Sequence, residues 1–248
     1  MADPILEVIS LTKCFGAIAA SDGLTFSVKR GTIHGLIGPN GAGKSTAIAQ
    51  LSGELQSDTG RVRFDGQDVT RWPVDKRARS GLQRSYQITS LLPEFTAEDN
   101  VAMAIQSQQG HSYRFWDNAR KDHSLRIPAR KILERVGLSD FADSPVMDLA
   151  HGQQRQLELA MVLATAPSML LLDEPMAGMG QSESLRMMEL LRPLKGDVTM
   201  LLVEHDMDVV FALADMITVL VKGQVLITGA PDEIKNHPEV RRAYLGDY

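Results

Sequence analysis

The chain has 248 residues, long enough to bury a sizeable core as one large or two modest domains. Its apolar fraction of 44% and charged fraction of 23% are those of an ordinary globular protein. A net charge of −5 lacks the basic footprint of a dedicated nucleic-acid binder. The single cysteine, Cys14, excludes an intrachain disulfide and a cysteine-based zinc site; it is read as a small buried filler in a reducing compartment.

From the N-terminus, Met1-Ala2-Asp3-Pro4 shows no basic region leading into an apolar run, so no secretory leader is expected. Short strands are expected at 5–10, 24–28, 32–37 and 61–65, with breaks at Lys29-Arg30-Gly31 and Asp65-Gly66. Between the third and fourth strands stands Gly38-Pro39-Asn40-Gly41-Ala42-Gly43-Lys44-Ser45-Thr46. An apolar β-branched stretch precedes it and helix-compatible sequence follows, the context that makes this spacing a phosphate-cradling loop. Glycines at 38, 41 and 43 admit backbone angles closed to other residues and let phosphate oxygens approach the main chain. The amides then form an anion nest at a helix N-terminus. Lys44 supplies a point charge to the β- and γ-phosphates, and the Ser45 hydroxyl a ligand to Mg²⁺.

From about Pro73 to Ala164 the texture turns polar and helical with few strand-like runs, and reads as a helical insertion. Ile132, Leu133 and Val136 recur at helical spacing before a stop at Gly137. Strands return at 169–173, 199–203, 216–221 and 224–228, separated by amphipathic helices; Leu185, Met188, Leu191 and Leu194 are expected to share one face. This alternation predicts a largely parallel sheet with covering helices. Every apolar run is of strand length, far short of the roughly 18 residues of a membrane span.

The stretch ending in Asp173-Glu174-Pro175 places two carboxylates at the carboxyl edge of the sheet, where ligands bind in such folds. Asp173 suits Mg²⁺, directly or through water, beside Ser45; Glu174 suits orienting or deprotonating an attacking water. Leu201-Leu202-Val203-Glu204-His205-Asp206 is a second buried strand, whose neighbourhood would bring His205 to the same edge, within reach of a γ-phosphate. The twelve methionines read as adaptable core filler.

Taken in order, these segments resemble the ATP-binding subunit of an ABC transporter, from Ile5 to Tyr248. Gln87 resembles the family's Q-loop glutamine, Leu149-Ala150-His151-Gly152-Gln153 its signature segment, Asp173 and Glu174 its Walker B pair, and His205 its switch histidine. Phe15 stands where the family stacks an aromatic ring on adenine; packing in the core is the other reading. The resemblance is strongest to ATPase subunits importing branched-chain and other hydrophobic amino acids. It is carried by 149–155, by Val203-Glu204-His205-Asp206-Met207 and by the tail 238–246. Systems for lipopolysaccharide or urea share much of this pattern.

The resemblance implies an α/β fold: a P-loop NTPase (RecA-like) core with an N-terminal antiparallel β subdomain and an inserted α-helical subdomain. The core would comprise 1–87 and 165–248 of a single ATPase domain, and the helical signature subdomain 88–164. It implies ATP and Mg²⁺ as cofactors, with Ser45, Gln87 and Asp173 toward the metal, Gln87, Glu174 and His205 in catalysis, and Phe15 and 38–46 on ATP. Ala150, His151, Gly152 and Gln153 would face ATP held by an opposing ATPase subunit, identical or different. Integral permease subunits and an extracytoplasmic solute-binding protein are implied partners, with residence on the cytoplasmic face of the inner or plasma membrane. Tyr113, Phe115 and Trp116 either pack locally or meet the permease. No nucleic-acid partner is expected. A soluble ATPase acting as an assembly or regulatory switch is the rival reading.

Two positions depart from the family pattern. Ala150 replaces the signature serine, removing a charge-assisted hydrogen bond to phosphate worth about 1.5–3 kcal/mol. The following amides, Gly152 included, remain able to face phosphate. Gly180 replaces the Asp or Asn of the D-loop, which bears on communication between paired sites.

Overall fold

The computed structural model describes residues 3–85, 91–108 and 122–245, which fall into two compact units. The first comprises Met1–Arg84, Ser168–Glu174 and Arg192–Tyr248; the second comprises Ser85–Pro167 and Pro175–Leu191.

In the first unit, β1 (Pro4–Phe15) and β2 (Ile18–Lys29) form an antiparallel hairpin around Gly16-Ala17, roughly twice as long as the apolar runs predict. The extension is polar: Lys13 pairs with Asp58 at 2.7 Å, and Cys14 donates its N–H to the same carboxylate. Cys14 is therefore exposed, not a core filler, because it stands on the solvated end of the hairpin. Along β2, Leu24, Phe26 and Val28 are buried while Thr25, Ser27 and Lys29 are exposed, the alternation of a sheet with one face on a core. β4 (Thr59–Phe64) and β5 (Gln67–Asp68) complete this antiparallel sheet in the order β2-β1-β4-β5.

The second sheet has the order β10-β9-β3-β8-β7-β6. Its strands are β3 (Ile33–Ile37), β6 (Leu82–Ser85), β7 (Met169–Asp173), β8 (Thr199–Val203), β9 (Met216–Val221) and β10 (Gln224–Gly229). β8 runs parallel to both β3 and β7, and β9 parallel to β3; β10 returns antiparallel on β9. All residues of β3, β7 and β8 are buried, as expected of strands covered on both faces. β6 was not expected, since only Leu82 of its four residues is fully buried and the rest are polar.

Successive side chains part to opposite faces. Leu36, Leu171, Leu201 and Leu220 join a core shared with the antiparallel sheet and with Ile48 and Leu51 of α1 (Lys44–Ser52). Ile37, Ile217 and Val219 join a second core with α7 (Met207–Leu213), α8 (Pro231–Asn236) and α9 (Pro238–Leu245), through Val210, Ile234 and Val240. Truncating a buried leucine of the first core or a buried isoleucine of the second to alanine costs about 2–5 kcal/mol. The far end of α1 is capped by Arg77, from α2 (Val74–Arg79). Its buried guanidinium donates to the carbonyls of Gln50 and Leu51, both at 2.7 Å, and to those of Thr70 and Trp72. A cation there also suits the negative end of the helix dipole.

The second unit holds α3 (Ala97–Gln108), α4 (His123–Arg135), α5 (His151–Leu163) and α6 (Gln181–Leu191). Thr96 and Asp99 cap the start of α3 reciprocally, at 3.0 and 3.3 Å. Burial works against the charge of Asp99, but hydrogen bonds from Arg126 and Thr96 prevail and hold it below the usual carboxylate range. α4 ends as predicted at Gly137, whose φ of 71° lets Leu138 N–H turn back to the Leu133 carbonyl at 2.8 Å. By contacts, α6 belongs to this unit. Its inward face is Met187 and Leu191; Leu185 is 54% exposed and Leu194 lies in a following 3₁₀ turn, so the predicted stripe is displaced. A strict three-residue spacing drifts around a 3.6-residue helix.

His34 sits buried in β3, sharing a 2.8 Å hydrogen bond with Thr218, which shares another at 2.8 Å with Thr228. Burial lowers its pKa from 6.5 to about 4. Between those values the unfolded chain binds the proton and the folded chain does not, so stability falls as pH falls. The expected loss from this group approaches about 3 kcal/mol by pH 4. Urea unfolding at stepped pH checks this: His34→Gln, which keeps a partner for Thr218, should lose distinctly less stability across the interval than the parent. Parallel profiles would show that His34 is not the group responsible.

Candidate functional site

Residues 38–43 link β3 to α1. Gly43 is the N-cap of α1 with φ 100°, and Gly41 has φ 78°, both in the region that favours glycine. A Cβ at Gly43 would also run into the Ala20 carbonyl of β2. Gly38 is required for another reason: its φ is ordinary, but a Cβ would press on the Leu220 carbonyl and stand 2.9 Å from the Ala42 side chain. The turn between β9 and β10 holds the loop from the side. Gly223 donates its N–H to the Ala42 carbonyl at 3.0 Å and accepts from Asp22 at 2.7 Å.

Lys44 opens α1 and folds back over the loop, donating Nζ to the carbonyls of Gly38 at 2.7 Å and Pro39 at 3.2 Å. It is 8% exposed. Burial pushes its pKa down, and the negative charges of Glu174 and Asp173 pull it back up. Loop lysine and carboxylate pair thus share one electrostatic neighbourhood. Ser45 is exposed and Thr46 half-buried at the start of the helix, while Pro39 and Asn40 form the outer rim of the loop.

Strand register explains the meeting. Val203 of β8 stands opposite Leu36 on one side and Asp173 on the other, so the carboxyl ends of β3, β8 and β7 lie side by side. Glu174 follows with φ 49°, an uncommon backbone for a residue with a side chain, and its N–H donates to the Val203 carbonyl at 2.8 Å. Left-handed backbone in such a residue costs about 1–2 kcal/mol, and strain of this kind clusters where chemistry occurs. His205 extends from the end of β8 into solvent, its Nδ1 3.8 Å from the buried Glu204 carboxylate.

Phe15 is 54% exposed at the end of β1, with the Lys13 ammonium 5.9 Å from its ring. This removes the core reading of that residue. Gln87, Tyr113, Phe115 and Trp116 lie outside the described residues.

In the second unit, Ala150 is the N-cap of α5 in extended conformation. Gln153 Oε1 accepts from the Ala150 N–H at 2.9 Å, one half of a capping box; alanine has no oxygen for the other half. His151 is exposed and Gly152 half-buried, its Cα facing the Glu183 carboxylate, which also accepts from Gly180 N–H at 3.2 Å.

Two residues at the sheet edge were not singled out from sequence. Gly223 carries a turn signal, Lys222-Gly223, but nothing local says that it bonds the loop at 38–43. Arg84 donates to Asp173 Oδ2 at 2.7 Å from a strand hidden in a polar stretch.

Residues 21–177 match the family described as ABC transporter, and 224–248 the one described as branched-chain amino acid ATP-binding cassette transporter. The chain is 38% identical to the high-affinity branched-chain amino acid transport ATP-binding protein BraF of Pseudomonas aeruginosa, over 100% of both chains. It is 35% identical to the LivG protein of the same description from Escherichia coli K12, again over 100% of each. Among solved structures it superposes with a TM-score of 0.87 and 30% identity on an ATP-binding cassette of an ABC transporter in its ADP conformation, covering 99% of this chain and 100% of that one.

The unfilled half of the α5 cap is testable in the isolated chain. Ala150→Ser should raise stability by about 0.5–2 kcal/mol, read from urea unfolding. An unchanged or lowered midpoint would mean that position 150 does not hold the N-cap geometry described.

Proposed function

The chain belongs to the ABC transporter family, among its branched-chain amino-acid transport ATP-binding proteins, and from that premise we propose that it hydrolyses ATP to drive import of branched-chain or other hydrophobic amino acids. The observation that carries the site assignment is the register at Val203, which sets the phosphate loop, Asp173-Glu174 and His205 on one sheet edge. Similarity to BraF and LivG along the full length of the chain supports the cargo class and speaks against the soluble-switch reading.

In this reading the loop amides and Lys44 grip the β- and γ-phosphates, and Phe15 offers its exposed ring to adenine, a stack worth about 1–3 kcal/mol. Glu174 takes the proton of the attacking water, and His205 donates toward the γ-phosphate. The donor set at the edge, a serine hydroxyl and a carboxylate, fits Mg²⁺, which takes one or two protein oxygens and completes its shell with phosphate and water. Ser45 and Asp173 would hold it, with Gln87 assigned to it by family likeness alone; its chemistry would be neutralisation of phosphate charge. Ala150-His151-Gly152-Gln153 of this chain face the far end of a triphosphate held by a second ATPase subunit, the same or different, whose corresponding segment meets the ATP held here. The γ-phosphate, seen from both sides, biases closure, and hydrolysis releases it.

Among the described residues no helix is long and apolar enough to cross a membrane. The transport path is assigned to permease subunits that hold this chain at the cytoplasmic face of the inner or plasma membrane and are served by an extracytoplasmic solute-binding protein.

Glu174→Gln preserves shape and removes the base. In a complex reconstituted with its permease, ATP turnover should fall about 10²–10⁴-fold while nucleotide binding persists; turnover at the parental rate would remove Glu174 from this role. Cells lacking the subunit should lose high-affinity uptake of labelled leucine, isoleucine and valine. Intact uptake of all three with loss of urea uptake would reassign the cargo.

A further inference from the structure

One guanidinium joins three elements of the first unit. Arg84, on β6, donates Nη2 to Asp173 Oδ2 at 2.7 Å and Nη1 to Oε2 of Glu54. Its side chain is 16% exposed and that of Asp173 9%. Glu54 follows Gly53, the residue that ends α1, so the same cation ties the helix that begins with Lys44 and Ser45 to the strand that ends in Asp173.

The chemistry of this arrangement is selective. A carboxylate has two oxygens, and here Oδ2 is taken. A planar guanidinium can hold two carboxylates in fixed directions at once, which an ammonium on a flexible stem does less well. Carboxylates that serve a metal are characteristically oriented by such partners.

We propose that Arg84 is a positioning residue for Asp173: by holding Oδ2 it leaves Oδ1 directed to the cation that accompanies the nucleotide, and Glu54 fixes Arg84 in turn. The proposal rests on the reading of Asp173 as a Mg²⁺ residue. It makes a prediction opposite in sign to simple charge counting. Deleting a positive charge beside Asp173 should by Coulomb's law strengthen its hold on a divalent cation. Deleting an orienting group should weaken it.

The test uses the purified full chain and N-methylanthraniloyl-ADP as the fluorescent probe, titrated with Mg²⁺ present and with EDTA. The ratio of the two affinities is the readout. Arg84→Gln should lower that ratio about 10-fold or more while leaving the EDTA affinity unchanged. Arg84→Lys should recover part of the ratio, and Glu54→Gln should lower it less than Arg84→Gln does. Glu54→Gln also carries the test should Arg84→Gln fail to fold. An unchanged or raised ratio in both Arg84→Gln and Glu54→Gln overturns the proposal, as does an equal loss with and without Mg²⁺, which marks a merely structural ion pair. Asp173→Asn separates the two layers. If it abolishes the Mg²⁺ advantage while Arg84→Gln does not, only the inference about Arg84 fails; if it keeps the advantage, the metal reading of Asp173 fails and the inference with it.

Discussion

A lysine side chain almost wholly removed from water is the constraint around which the candidate nucleotide edge is organised. Burial penalises the charged form of Lys44 and pushes its pKa down. Two loop carbonyls accept from its ammonium, and the nearby charges of Glu174 and Asp173 work against part of that penalty. The carboxylates favour the charged lysine, and its electrostatic neighbourhood joins a loop that begins at Gly38 to a strand that ends 135 residues later at Asp173. A triphosphate would find the cation already bent over its cradle.

That arrangement needs a rigid floor. Strands buried on both faces supply it, since every residue of β3, β7 and β8 is buried. A shift of one residue in register would exchange those faces and part Val203 from its neighbours. The loop is then braced from outside the sheet by Gly223, from β2 by the close approach of Ala20 to Gly43, and through α1 by Arg77 at its far end. Against this rigidity the unusual backbone of Glu174 is affordable: the hydrogen bond to Val203 and the surrounding strands over-determine it.

The helical unit is built on other terms. Its ordering rests on caps and on ion pairs between neighbouring helices, such as Arg126 with Asp99 and Arg130 with Glu98, over an ordinary apolar core. Ala150 leaves the start of α5 with one half of a cap, and Gly180 leaves the approach to α6 without a side chain. Both departures fall where, by family likeness, an opposing subunit is met. Within the family reading they concern pairing between subunits more than the grip of one chain on its own nucleotide.

Much of the candidate site is legible in consecutive residues because its requirements are local. Left-handed backbone at Gly41 and Gly43, a helix opening on Lys44-Ser45, an apolar strand running into Asp173-Glu174 and a helix stop at Gly137 are each written within a few positions. The order of these segments along the chain also carried the family. What the sequence left undecided depends on which strands lie side by side and on how far polar extensions continue a hairpin. Cys14 and Phe15 are exposed because β1 outruns its apolar run, and Leu185 faces outward because the helical period is not three. Gly38 is confined by Leu220, Ala42 is bonded by Gly223, and Asp173 is held by Arg84, all across separations of 89 residues or more except within the loop itself. Such contacts are set by strand order and close packing, which no short window of residues encodes.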